Sequence, residues 1–128
     1  MAILAFNDSV VNTMQTRRMG LTAQRDPALP PPGGDRVAIP FVGPGTLDRL
    51  QILVDTNTLT AGAQYQVLLD GIPTVLTATV PAGTTGQFPQ DVPAATTAVG
   101  VGPHRVQFEM IAPAGGGLIR ASGSVRFQ

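Results

Sequence analysis

The stretch Ala61–Gly83, "AGAQYQVLLDGIPTVLTATVPAG", decides how this chain folds. Two runs rich in β-forming residues flank the dipeptide Asp70-Gly71. A two-residue connection of that composition favours a type I′ hairpin, in which both turn residues take positive φ. Counting outward from the turn pairs Leu69 with Ile72, Val67 with Thr74 and Tyr65 with Leu76. Side chains alternate between the faces of a strand. One face therefore gathers Tyr65, Val67, Leu69, Ile72 and Leu76, and the other carries Gln64, Gln66, Leu68, Pro73, Val75 and Thr77.

The same alternation continues on both sides. Toward the C-terminus, "HRVQFEMIAP" sets Val106, Phe108 and Met110 against Arg105, Gln107 and Glu109. "LIRASGSVRFQ" directs Ile119, Ala121, Val125 and Phe127 inward, and the Gly-rich "APAGGG" between them predicts a second hairpin. Toward the N-terminus, "LDRLQILVDT" places Leu50, Ile52 and Val54 on one side and Arg49, Gln51 and Leu53 on the other, a half-buried strand. "RVAIPFVG" alternates Val37, Ile39 and Phe41, but Pro40 lacks a donor and assigns this piece to a sheet edge. In "TTGQFPQDVPAATTAVGVGP", Phe88 and Val92 support only a weak strand, because Pro89 and Pro93 interrupt it. Six to eight short antiparallel strands with Gly- and Pro-rich turns give an all-β fold, a β-sandwich or jelly roll over residues 37–128.

Two further segments precede that domain. Residues 1–25 form an N-terminal arm. Val10, Val11 and Met14, followed by Arg17, Arg18 and Gly20, fit two or three helical turns capped by Asp8 or Ser9. The β-branched pair and the short length make such a helix unstable alone. The segment is accordingly an arm on another part of an assembly, or a strand or helix of its own domain. Residues 26–36, "DPALPPPGGDR", are a Pro/Gly-rich tether. Pro30, Pro31 and Pro32 favour an extended polyproline strut, and Gly33 and Gly34 permit a sharp redirection. The apolar opening "MAILAF" is too short for a signal-peptide core or a membrane span.

Composition narrows the function classes. The 128 residues carry eight basic side chains, all arginine, against eight acids, and charged residues make up 12% of the chain. Soluble domains average roughly 25%. So weak and balanced a charge lacks the footprint of a protein that binds nucleic acid by neutralising phosphates. Cysteine is absent, which removes disulfides and thiolate metal sites. His104 is the only histidine, and no nucleophile or carboxylate pair stands beside it in sequence. Asp48 and Asp55 bracket a strand and Asp70 sits in the hairpin turn, positions where aspartate commonly supports turns. "VGPGTLD" and "PAGGGLIR" lack a phosphate-loop lysine. The sequence thus points to no enzyme, no cofactor and no metal, although loop oxygens leave a calcium site open.

The run "VLTATVPAGTTGQFPQDVPAATTAVGVGPHRVQFEM", within residues 47–127, resembles jelly-roll heads and decoration modules of tailed-bacteriophage virion proteins. It shares their alternating strand, small-residue bend and "G…HRVQF" strand entry, and departs from them at Pro89, Pro93 and "GPHRV". The resemblance implies a virion-located capsid decoration (cement) protein that stabilises an assembled shell. It further implies a homo-oligomer, with a trimer favoured, that binds a major capsid or other virion protein and contacts neither nucleic acid nor membrane. A fibre, spike or receptor-binding head, and a non-viral carbohydrate- or protein-binding β module, are the alternatives. On the assembly reading the contact residues are Phe6, Val10, Val11, Met14, Arg17, Arg18, Arg25, Pro30, Pro31 and Pro32.

Overall fold

The computed structural model describes residues 1–12, 17–19, 38–111 and 116–128, with side chains for 1–5, 38–111 and 116–128. Eight strands run in chain order: β1 (Ala2–Asn12), β2 (Arg17–Met19), β3 (Ile39–Asn57), β4 (Ala63–Leu69), β5 (Ile72–Val80), β6 (Gly86–Pro89), β7 (Thr97–Ile111) and β8 (Leu118–Phe127). All pairings are antiparallel, along the path β1-β8-β3-β7-β4-β5, with β2 added to β7 and β6 added to β3. Leu76, Ala78 and Val80 of β5 share one core with Ile119, Ala121 and Val125 of β8. Leu4 of β1, at the opposite end of the strand path from β5, enters the same apolar interior. Its largest fully buried side chains include Tyr65, Phe108, Leu47, Leu50 and Ile52. Full burial of one such side chain contributes roughly 1.5–3 kcal/mol.

The Asp70-Gly71 turn forms as the sequence requires, with φ of 52° and 81°. Leu69 pairs with Ile72 and Leu68 with Pro73, but beyond Leu68 the register moves, so that Tyr65 faces Ala78 rather than Leu76. The hydroxyl of Thr74 accounts for the shift. It donates to the Val67 carbonyl (2.8 Å) and accepts from the Leu76 amide (3.2 Å), doing the work of a missing rung. Tyr65, Val67 and Leu76 are buried as their alternation demands. Ile72, beside the turn, is 68% exposed instead, while Leu68 is buried on both counts of packing and pairing.

The second expected hairpin does not form. β7 and β8 each pair with β3, which lies between them. Their connection passes the end of β3, where the Thr58 amide donates to Leu118 O (2.9 Å) and the Thr60 amide to Gly116 O (3.2 Å). Gly117 is needed there: at φ 111° a Cβ would collide with the Thr58 carbonyl. Two runs joined by a Gly-rich loop look like neighbours in sequence, yet a third strand can occupy the gap. The inward sets read from the sequence still hold, since Val106, Phe108, Met110, Ile119, Ala121 and Val125 are all buried.

β3 is longer than either piece expected of it. Pro40 pairs opposite Arg105, and Ile39–Gly43 of β3 run along β7 alone, which gives proline its edge position. Beyond Leu47 the same strand pairs with β8 and, at Gln51–Val54, with β6. The change of partners is made at a bulge, where Arg49 takes φ 53° and the β8 register slips between Asp48 and Gln51. Val99 and Gly102 of "VGVG" continue β7 along β3, opposite Gly45 and Gly43, and Gly100 and Val101 fall in the register shift between them.

The N-terminal segment is not helical where it is described. Ala2–Asn12 lie along β8, from Ala2 opposite Phe127 to Asn12 opposite Leu118, and Leu4 enters the core. Its neighbour β2 sets Arg17, Arg18 and Met19 opposite Met110, Glu109 and Phe108. The β-branched Val10 and Val11 suit an edge strand on β8 better than the helix they suggested together with Met14. On the same edge of β7, Met19 faces Phe108 and Ile39 faces Val106. Phe108 and Val106 are two positions apart on β7, and the residues between Met19 and Ile39 include the Pro/Gly-rich tether at 26–36. Those residues lie outside the described set.

The bulge generates a first prediction. Gln90 is buried, and its Oε1 accepts the Leu50 amide (3.1 Å) while its Nε2 donates to Val92 O (2.6 Å) and Ala95 O (2.9 Å). Gln90→Leu strands the buried Leu50 amide and removes the side-chain donor to the part-buried Val92 and Ala95 carbonyls. Urea unfolding should show a loss of at least about 1–3 kcal/mol.

Candidate functional site

Two features occupy one region of the surface, where the N-terminal part of β3 runs beside the middle of β7. The first is a strip of apolar side chains. Pro40 lies opposite Arg105 and Val42 opposite Pro103, while Pro44 and Val101 fall at the register shift between Gly43 and Gly45. By strand alternation Pro40, Val42 and Pro44 share the outward face, as do Val101, Pro103 and Arg105. All six are exposed, Val42 by 69% and Val101 by 85%. The inward partners of this ribbon are Ile39, Phe41 and Val106, which pack on the core.

Beside the strip, the hairpin tip meets β7. The Asp70 amide donates to Arg105 O (2.8 Å), and the Arg105 amide returns a bond to Asp70 Oδ1 (2.8 Å). His104 Nδ1 lies 2.6 Å from Asp70 Oδ2, and Nε2 lies 2.9 Å from Gly100 O. The imidazole ring stands 5.9 Å from Phe41, which meets Phe127 edge-on at 4.9 Å. A recess of about 770 Å³ opens here, lined by Pro40, Phe41, Asp70, Pro103, His104 and Arg105 among others. The hydrogen bond to Asp70 holds the His104 pKa above its ordinary 6.5, and the Gly100 carbonyl acts in the same direction. The bond from His104 in turn holds Asp70 below 3.8, helped by the Arg105 amide.

An aspartate–histidine pair suggests base catalysis, but here the geometry points elsewhere. A general base needs a free ring nitrogen facing a nucleophile or water. Both nitrogens of His104 face oxygen acceptors, so neither is placed to take a proton from a third group. Among the described residues, no group of three His, Asp or Glu is arranged to hold a metal ion. The pair ties the hairpin tip to β7 beside an apolar border.

The residues singled out from the sequence are distributed differently. Phe6 and Val11 sit on β1 opposite Gly123 and Ile119, and Val10 falls within the β1 register shift. Arg17 and Arg18 occupy β2. Met14, Arg25, Pro30, Pro31 and Pro32 lie outside the described residues. His104, without a partner beside it in sequence, is tied to Asp70 of its own chain. Neither Val42 nor Val101 stands out in sequence, because their exposure follows from which face of β3 and β7 the core selects.

A separate pair fixes the other end of the β3 bulge. Arg126 grips Asp48 in bidentate fashion, with Nε to Oδ1 at 2.7 Å and Nη2 to Oδ2 at 2.5 Å. Asp48 is buried, and the guanidinium bond holds its pKa below 3.8 against the opposing effect of burial. A depressed carboxylate pKa contributes stability that is present above 3.8 and lost as pH falls through the folded-state value. Arg126→Met should lower the urea midpoint at neutral pH. The gap from the parent should close in acid below that folded-state value, as midpoints measured against pH would show. The chain matches no protein-family model, no curated protein and no solved structure.

Proposed function

We propose that this chain is a structural virion protein, a decoration (cement) protein that stabilises an assembled shell as a homotrimer. The observation that carries the reading is the outward strip of Pro40, Val42, Pro44, Val101 and Pro103. Contiguous exposed apolar surface marks interaction sites on soluble proteins. Proline and valine lose little side-chain entropy when a partner covers them, which suits a docking face. The low and balanced charge of the chain limits repulsion between closely packed copies. The resemblance of residues 47–127 to decoration modules of tailed phages points the same way. On this reading the antiparallel sheet is a β-sandwich of the jelly-roll kind, and the described N-terminal strands dress its edges. The shell partner is a major capsid protein or another virion protein.

The double substitution Val42→Asp/Val101→Asp tests the reading. Both side chains are solvent-exposed, so the urea midpoint should stay within about 0.5 kcal/mol of the parent. Sedimentation at micromolar protein should show an oligomer for the parent and a monomer for the variant, and only the parent should attach to an assembled shell. A parent chain that is monomeric and has no affinity for a shell would defeat the proposal.

A further inference from the structure

We infer that His104 is a proton-operated latch, joining the β4–β5 hairpin tip to the β7 bulge that carries Val101. A neutral imidazole offers one donor and one acceptor, whereas the imidazolium offers two donors. Asp70 Oδ2 and Gly100 O are both acceptors, at 2.6 and 2.9 Å from the two ring nitrogens. Only the doubly protonated ring satisfies both at once.

The other groups around the ring agree with that state. Asp70 brings a carboxylate from the β4–β5 turn, and Arg105 follows His104 on β7 with its amide on the same carboxylate. From β3 the ring meets Phe41, which carries no charge. The neighbouring negative charge favours the imidazolium, and the hydrogen bonds direct it.

Loss of one proton acts on one side of the junction. The carboxylate retains the proton on Nδ1, the stronger charge-assisted partner. Nε2 then turns a lone pair toward the Gly100 carbonyl, and that contact becomes repulsive. Gly100 and Val101 have no partner in the β3 register, which passes from Gly102 opposite Gly43 to Val99 opposite Gly45. Glycine on either side of Val101 leaves the released segment free to change conformation. The latch therefore governs how Val101, 85% exposed, is presented at the surface.

The pH window follows from the two shifts. His104 is raised above 6.5, so the latch is complete below that value and opens as pH rises through the folded-state pKa. Asp70 is lowered from 3.8, so on the acid side the latch holds until its carboxylate protonates below that value.

The test uses the full chain labelled with ¹⁵N and titrated from about pH 5 to about pH 9, across the range where histidine switches. Imidazole resonances should give a midpoint above 6.5, with both ring nitrogens protonated below it. Intrinsic-rate-corrected exchange at the Val101 and Gly102 amides should follow the same midpoint. Their protection should fall by up to about tenfold for each unit by which the midpoint exceeds the unfolded value. Core amides such as that of Val54 should not follow it. Asp70→Asn should bring the midpoint down to the ordinary histidine value or lower, and His104→Gln should abolish the pH step at Val101 and Gly102. A parent midpoint at or below 6.5 overturns the latch, as do bulge amides that ignore the titration.

Discussion

The amide of Leu50 donates to a side chain instead of a neighbouring strand, and the strand order depends on that substitution. At this point β3 exchanges one partner for another, running with β7 before the bulge and with β6 after it, while β8 follows along its opposite edge. A long strand can change partners only where its ladder is interrupted, and an interruption in a buried place strands polar groups. Gln90 resolves the conflict by giving its carbonyl to Leu50 and its amide to Val92 and Ala95. Arg126 and Asp48 clamp the adjacent position from β8. With the bulge held, Leu47, Leu50, Ile52 and Val54 all reach the same core from one strand.

The polar residues at the sheet margins have a related task. Asp91 takes three hydrogen bonds along β5, from the Thr79 amide and from the hydroxyls of Thr77 and Thr79, and its own amide donates to Thr77 O. That occupies backbone and side-chain groups that would otherwise invite another chain to pair. Asn57 ties the end of β3 to the turn between β5 and β6 through Pro81 O and Thr84 O. The outward ribbon of β3 and β7 is treated differently, since it keeps its valines and prolines uncovered. One margin is closed against association and one face is left available for it.

How much of this was legible depended on the range of the interaction. The Asp70-Gly71 turn could be read directly, because two adjacent residues specify its backbone. The inward positions of β7 and β8 were legible for the same reason: alternation survives whichever strand is adjacent. Adjacency itself was not legible, and β3 lies where a hairpin between β7 and β8 was expected. Gln90 and Leu50 are separated by 40 residues, and Asp48 and Arg126 by 78. No local pattern announces either bond. The Asp70–His104 junction shows the boundary well. Each residue was visible as a turn aspartate or a lone histidine, but their meeting required β4 to lie against β7. Ala2–Phe6 are uniformly apolar and carry no period, so only their pairing with β8 identifies them as a strand.

The places of Met19 and Ile39 along β7 have an evolutionary reading. These two feet stand two positions apart on one strand, so the span to be bridged is set by the sheet and is independent of what lies between. Closure entropy rises only with the logarithm of loop length, by about 0.6 kcal/mol per doubling. Insertions, deletions and changes of composition between the feet are therefore nearly neutral for folding. This part of the gene can diverge quickly while every strand keeps its register.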